Sequence, residues 1–334
     1  MIILHLAAYN RNIGDSIAIE NIRHEFPDYI FKSLDIQHPA VTNKILEQNY
    51  DMLLIGGGGL IEGGNWNNTK YGWKLPFTEK ELKSINKPIV VFAVGLNFFR
   101  GLEKLNSKGE KNLRSLIDKS RLFSVRNDYS GREIKNYYSG DKVQIIPDPG
   151  VIQQEVMQRK TLNKILLSPA FNKNPRIMEQ RNVTPRQIQK IQDKYNCDCI
   201  AHTGKDFLKG LKQVVKNDEL SAAKFSGKFF NKYDGYDLVL AMRGHAQLVA
   251  YGKGIPCIAI SSQNKLTGFY RNVEMDEYLV DTNNKEWMDK LSVMINSIKE
   301  NPEKWYDIRN KHIGKLRQDF YNFCEQMRNI NGTT

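Results

Sequence analysis

Arg243, His245 and Lys265 are the residues whose types and placement could do chemistry together. Arg243-Gly244-His245 follows the apolar run Asp237 to Met242, and Lys265 follows the next one, Ile255 to Ser261. In a parallel α/β sheet such positions lie where strands end and helices begin, and ligands gather at that edge. The first amides of a helix have no intrahelical partner and favour an anion. Arginine and lysine can hold a phosphate or a carboxylate, and a histidine beside them can carry a proton. The chemistry this predicts is an anion clamp with an acid/base group in it. Arg126, directly after Arg121-Leu-Phe-Ser-Val125, occupies a strand end of the same kind in the first half.

Two further stretches border on chemistry. Asn12-Ile-Gly-Asp15 lies at the first strand-to-helix turn. It reads either as a glycine turn with an Asp15 cap or as a general base projecting from a strand end. Gly56 to Gly59 follows the apolar run Asp51 to Ile55, so Gly57, Gly58 and Gly59 could turn the chain or bring its backbone close to a ligand. The spacing is not G-x-G-x-x-G before a helix and no Walker lysine follows, so neither a dinucleotide nor an ATP site is expected. No spacing of His, Cys, Asp and Glu suggests a metal site, and no Ser-His-Asp set stands out.

The elements that must position these residues alternate. Strands are expected at residues 2–8, at Asp35-Ile36, at Asp51 to Ile55, Lys87 to Gly95, Arg121 to Val125 and Val143 to Ile146, with helices at Ser16 to His24, Val41 to Gln48, Leu113 to Lys119 and Tyr129 to Tyr138. Gly63 to Phe77 shows no period and reads as a loop over a cleft. The pattern restarts at Lys164 to Ser168 and runs through a helix begun by Thr184-Pro185, Asp198 to Ala201, Phe207 to Val215, the Arg243 stretch and Glu277 to Asp281, ending in helices from about Lys285 to Met327. Alternation of this kind implies parallel sheets covered on both faces. The expected architecture is two Rossmann-like α/β domains facing a cleft, residues 1–158 and 159–284, with 285–334 as C-terminal helices. No residue-level repeat links the halves.

Composition narrows the class. At 334 residues, 40% hydrophobic and 26% charged, the chain is globular, and no apolar run reaches the length of a membrane span. The apolar start Met1 to Tyr9 lacks the basic lead of a signal peptide, so a first buried strand and a cytoplasmic location are expected. The four cysteines read as reduced, buried thiols. Net charge is +12, and residues 101–250 carry 27 Lys/Arg against 16 Asp/Glu. That block either meets something anionic or is a solvated lysine-rich surface.

Together Asn12-Ile-Gly-Asp15, Gly56-Gly-Gly-Gly-Leu60, Ser124-Val-Arg126 with Ser130, Asp148-Pro149, Met242-Arg-Gly-His-Ala246, Gly254-Ile-Pro256 and Lys265 to Phe269 follow one order. In that order the chain resembles the polysaccharide pyruvyl transferase family. The resemblance implies a fold similar to B-type glycosyltransferases. It also implies transfer of an enolpyruvyl-derived group from phosphoenolpyruvate to a sugar, with formation of a pyruvate ketal and release of phosphate. It implies no nucleotide cofactor and a sugar or lipid-linked glycan acceptor, which is compatible with contact at an anionic inner membrane face. Donor-binding and catalytic residues should fall at Arg126, Arg243, His245 and Lys265; Asp15 is a candidate base for the acceptor hydroxyl. The chain departs from the family pattern at Asn127, where an aspartate is common, and at Gly244, where a bulky apolar residue is common. Rival readings are a B-type glycosyltransferase using a nucleotide sugar, and a non-enzymatic anion- or nucleic-acid-binding protein. No recognised nucleic-acid-reading motif is present.

Overall fold

The computed structural model describes residues 1–9, 12–38, 40–98, 104–171, 182–208, 210–222 and 227–330. The chain forms two compact units. Unit 1 comprises Met1–Tyr9, Ala18–Pro149 and Lys315–Thr334; unit 2 comprises Asn10–Ile17 and Gly150–Gly314. The sequence alone puts the division at 158/159 and sets residues 285–334 apart. By contacts the division falls at Pro149/Gly150, and the C-terminal helix is shared between the units.

Unit 1 is built on strands β1 (Ile2–Ala7), β2 (Ile30–Asp35), β3 (Met52–Ile61), β4 (Ile89–Leu96), β5 (Leu122–Arg126) and β6 (Val143–Ile146). All pair in parallel, in the order β2-β1-β3-β4-β5-β6. Every residue of β4 is buried, as expected for a parallel strand covered on both faces. Helices α1 (Ile13–His24), α2 (Val41–Glu47), α3 (Glu79–Ser84), α4 (Ser107–Lys119) and α5 (Ser130–Glu133) connect the strands.

Unit 2 repeats the design with β7 (Ile165–Ser168), β8 (Asp198–Cys199), β9 (Leu238–Ala241), β10 (Cys257–Ser261) and β11 (Leu279–Asp281) in the order β11-β10-β9-β7-β8, again all parallel. Its helices are α6 (Pro185–Tyr195), α7 (Asn217–Ala222), α8 (Gly244–Lys253), α9 (Asn264–Asn272) and α10 (Trp287–Glu300). The last helix, α11 (Pro302–Asn329), starts there. Counted from its own first strand, each sheet runs second, first, third, fourth, fifth, and unit 1 adds a sixth at the end. The repeat invisible at residue level is therefore present in topology, and each sheet has its switch point between its first and third strands.

Several expectations shift. Helix α1 begins at Ile13, three residues before the expected Ser16, because the Asn12 side chain accepts from Gly14 N (3.0 Å) and caps it. Asp15 therefore sits inside the first turn. The glycine run does not end β3 but lies within it: Gly57 and Gly58 take φ of 81° and 150°, and the register with β4 shifts just beyond them. The 63–77 segment carries Trp73, Leu75 and Phe77 into the unit 1 core, with Trp73 Nε1 donating to Phe77 O (2.9 Å). Phe207 to Val215 holds no strand or helix among its described residues, only a bridge from Gln213 to Cys199. Helix α11 packs Phe320 and Phe323 against Phe92 of unit 1, while Arg309 of unit 2 caps the carboxyl end of α8 through Tyr251 O (2.7 Å) and Gly252 O (3.0 Å).

Two glycines yield predictions, one in each unit. A Cβ at Gly57 would lie 2.7 Å from Ile19 Cγ1 on a backbone already at positive φ. Gly57→Ala should cost about 1–3 kcal/mol by urea denaturation. Gly235→Ala, with nothing within 4 Å, should change stability by less than about 0.5 kcal/mol.

His5, fully buried in β1, accepts from Arg23 Nε at Nδ1 (3.3 Å), so Nε2 carries the proton and faces Gly56 O (3.4 Å). Burial first, then the Arg23 charge, pushes its pKa down to about 3. The unfolded chain thus binds a proton between about pH 6.5 and 3 that the folded one refuses, and stability present above 6.5 is lost as pH falls. Roughly 2 kcal/mol should disappear between pH 6.5 and 5, seen as a falling urea midpoint whose slope flattens in His5→Gln.

Candidate active site

Arg243, His245 and Lys265 are positioned by two adjacent strand ends of unit 2. Strand β9 delivers Arg243 as the N-cap of α8, with φ −102° and ψ 134° and no side-chain cap bond. Arginine has no acceptor to offer, so its side chain does not cap the first-turn amides, and a ligand oxygen is suited to that role. Strand β10 leads through Ser261, Ser262 and Gln263 into α9, which carries Lys265. Gln247 Nε2 of α8 donates to Leu266 O of α9 (3.1 Å), which holds the two helix starts side by side, and Ser261 Oγ is bonded to Thr267 Oγ1 (2.8 Å) between the end of β10 and α9. Neither first turn contains an acidic residue.

His245 is 4% exposed. The Cα of Gly14 lies against its ring: a Cβ there would fall 2.3 Å from His245 Nδ1. Glycine in Asn12-Ile-Gly-Asp15 is thus explained by close approach of the imidazole, and the half-exposed Asp15 is its chain neighbour. The turn is anchored by Ile13 N donating to His202 O (3.2 Å). The structure therefore brings Arg243, His245, Lys265 and the Asp15 turn together within unit 2.

A set of residues that the sequence reading passed over organises this edge. The Asp206 carboxylate is fully buried. It accepts from Phe171 N (3.0 Å), His202 N (3.2 Å), Thr203 N (3.0 Å) and Thr203 Oγ1 (3.2 Å), and forms a short ion pair with Arg243 Nη2. Arg243 Nη2 also reaches Thr203 Oγ1 (3.3 Å). His202, 1% exposed, bonds Tyr233 OH through Nε2 (2.7 Å) and meets Phe229, Phe230 and Tyr233 edge-on. Burial, then the charges of Arg243 and His245, holds its pKa well below the usual histidine range, so it is a neutral member of the site. Thr203-Gly-Lys-Asp206 has the pattern of a capping box, which was the available signal; nothing in its spacing links it to Arg243.

Arg126 and the glycines belong to unit 1. Arg126 is 3% exposed, with Nη1 on Asp148 (2.9 Å) and Nη2 at 3.2 Å from Asp128. Burial alone would lower its pKa, but Asp128 and Asp148 overcome it and raise the value, so its charge is secure. Asp128, the residue after Asn127, is one of the two carboxylates beside this guanidinium. The guanidinium lies over Gly95, where a Cβ would fall 2.0 Å from Nη2. Ser124 sets this geometry: its hydroxyl accepts from Ala93 N (2.9 Å) and donates to Val91 O (3.1 Å), meeting the backbone where β4 bulges and Ala93 takes φ 46°. Ser130 Oγ likewise accepts from Leu96 N (3.0 Å). Arg126 ends the fifth strand of its sheet whereas Arg243 ends the third strand of the other, so the two are not topological equivalents. Gly57 and Gly58 are buried; Gly59 O accepts from Lys74 Nζ (2.9 Å) and Asn97 Nδ2 (3.1 Å).

Two all-parallel α/β units of this order define the class: the fold is that of B-type glycosyltransferases and related sugar-nucleotide enzymes. Similar solved structures include the UDP-GlcNAc 2-epimerase from Neisseria meningitidis bound to UDP-GlcNAc (12% identity, TM-score 0.55, 97% of this chain and 99% of the other). S. aureus MnaA with UDP (11%, 0.51, 88% and 87%) and the glycotransferase of kitacinnamycin (10%, 0.50, 98% and 96%) are also similar. Among curated protein sequences none matches. The model of the polysaccharide pyruvyl transferase family matches residues 9–264, and the chain belongs to that family. Among the described residues no helix is long and apolar enough to cross a membrane.

Removing the Asp206 carboxylate would strand the partly buried Arg243 charge and three backbone donors. Asp206→Ala should lose about 3–5 kcal/mol in chemical denaturation, whereas Thr203→Ser, which keeps the hydroxyl, should lose less than about 1 kcal/mol.

Proposed function

We propose that the protein transfers a pyruvyl group from phosphoenolpyruvate to a sugar of a polysaccharide or its lipid-linked precursor, forming a cyclic ketal and releasing phosphate. The observation that carries this reading is the convergence of Arg243, His245 and Lys265 on two adjacent helix starts in a chain of the pyruvyl transferase family. Phosphoenolpyruvate is a phosphate and a carboxylate on one three-carbon frame, and helix-start amides with cations beside them suit such a ligand.

The reaction adds two sugar hydroxyls to one donor carbon. The donor's double bond takes up a proton at its methylene, which becomes the methyl group, and the adjacent carbon becomes electrophilic. One sugar oxygen bonds to that carbon; the second displaces phosphate, breaking the carbon–oxygen bond to it. Of the two hydroxyl protons released, one balances the proton gained by the methylene and the other leaves with phosphate. His245 is the acid for methylene or departing phosphate, Arg243 and Lys265 hold the donor anions, and Asp15 is the base assigned to the acceptor hydroxyl. No nucleotide or metal enters this scheme. A lipid-linked acceptor would bring the protein to an anionic membrane face.

The test is phosphate release from phosphoenolpyruvate with a panel of sugars and glycan precursors. Wild type should release phosphate only with an acceptor. His245→Ala and Arg243→Ala should each lower kcat/KM by about 10²–10⁴. Turnover of a nucleotide sugar with release of a nucleoside diphosphate, and none of phosphoenolpyruvate, would replace this reading with that of a glycosyltransferase. Salt-sensitive oligonucleotide binding undiminished by Arg243→Ala would favour a binding protein.

A further inference from the structure

The Gly63 to Phe77 segment packs Trp73, Leu75 and Phe77 into the unit 1 core, and the polar residues at its base are not used by that packing. Glu62 and Asn97 directly follow Ile61 and Leu96, which are partners across β3 and β4, so the two stand at one level on the carboxyl edge of the unit 1 sheet. Ligands gather at such an edge. The segment leaves it at Glu62 and returns at Lys74, whose amide donates to Glu62 O (3.1 Å). Lys74 Nζ reaches both Glu62 Oε2 (3.2 Å) and Gly59 O (2.9 Å), and Asn97 Nδ2 donates to the same Gly59 O (3.1 Å). One carbonyl thus gathers an ammonium and an amide, and the ammonium holds a carboxylate.

Closing the segment does not account for these groups. The main-chain bond from Lys74 to Glu62 already does that, while the second carboxylate oxygen of Glu62 and the amide oxygen of Asn97 have no partner among the described residues. An ammonium has three hydrogens, and Lys74 uses two. The cluster therefore offers two acceptors and one donor. Lys74 and Glu62 are 13% and 21% exposed, so hydrogen bonds made there compete with little water.

Charge at this edge decides which ligand it suits. Lys74 is matched by Glu62, and Arg126, packed against Gly95 two residues before Asn97, is bracketed by Asp128 and Asp148. Three carboxylates face two cations. A phosphate or carboxylate is repelled here, whereas neutral hydroxyls can donate to the two acceptors and accept from the lysine.

We propose that Glu62, Lys74 and Asn97 form a subsite that binds two hydroxyl groups of an uncharged pyranose and discriminates against uronic acids. The proposal rests on the reading of the protein as a transferase with a sugar acceptor, and deepens it by giving the acceptor's class, a neutral sugar. Glu62 and Asn97 take the hydroxyl hydrogens, and Lys74 gives its third hydrogen to a hydroxyl oxygen.

The experiment titrates the full-length protein and its Glu62→Gln, Lys74→Met and Asn97→Ala variants with the methyl glycosides of galactose, glucose and mannose and with the uronic acid counterpart of each. Binding is followed by saturation-transfer NMR without phosphoenolpyruvate. The parent should bind at least one neutral glycoside, and its uronic acid counterpart at least about tenfold more weakly. Glu62→Gln keeps the shape and removes the charge, so it should weaken the neutral glycoside by about 10- to 100-fold and shrink the preference over the uronic acid. Asn97→Ala should cost about three- to tenfold with the preference kept. Lys74→Met should weaken the neutral glycoside and sharpen the preference, because Glu62 then stands unmatched. In turnover, the acceptor KM should rise in Glu62→Gln and Asn97→Ala while the KM for phosphoenolpyruvate stays within about threefold.

The proposal is overturned if no neutral glycoside binds, if the uronic acids bind as well as their neutral counterparts, or if Glu62→Gln and Asn97→Ala bind as the parent does. Should Lys74→Met lose its melting transition, the other two variants carry the comparison. Glycoside binding with the expected losses, but no consumption of phosphoenolpyruvate with any acceptor, would sink the transfer reading alone and leave the subsite standing.

Discussion

The carboxylate of Asp206 ties together the ends of three neighbouring strands. It takes amide hydrogens from Phe171, beyond β7, and from His202 and Thr203, beyond β8, and the guanidinium of Arg243, beyond β9. A charge this deep is tolerated only when its lone pairs are filled and its sign is balanced, and here both conditions are met by the loops that form the site. The consequence is geometric. Because β7 and β9 are the strands on either side of the switch point of unit 2, one buried anion fixes where the arginine stands at the place an α/β sheet offers for a ligand.

Unit 1 uses the same physics with the sign reversed. There the enclosed charge is Arg126, bracketed by Asp128 and Asp148, and the space for it is made by Gly95 on the neighbouring strand. The serines that accompany it are explained by backbone rather than ligand: the Ser124 and Ser130 hydroxyls bond the main chain of β4 at Val91, Ala93 and Leu96. Arg126 is thus a preorganised, charge-balanced group, whereas Lys265 lays its methylene stem against the Gly244 Cα.

The two sheets share a strand order without sharing residues. A buried parallel strand asks only for an apolar run of suitable length, and many sequences meet that demand, so topology can recur where side chains do not. The same tolerance explains why alternation of elements was legible along the chain and why element ends were not. Helix α1 was expected to start at Ser16, but its cap is Asn12, and the glycines expected to close β3 are part of it, packed against Phe92, Ile19 and Asn97. Glycine runs are ambiguous in sequence because the residue permits a turn and a close contact alike.

By itself the sequence determined the α/β class, the parallel sheets and the strand ends at which Arg126, Arg243 and His245 would stand, since hydrophobic runs and the residues after them are local properties. Membership of the pyruvyl transferase family was also legible, from the order of short motifs. Only the tertiary structure decided what those motifs pack against. It gave Gly14 the face of His245, Gly95 the guanidinium of Arg126 and Gly244 the stem of Lys265. It also joined Arg243 to Asp206, thirty-seven positions away. Contacts of that kind depend on which strand ends the sheet order makes neighbours, and spacing along the chain carries no record of it.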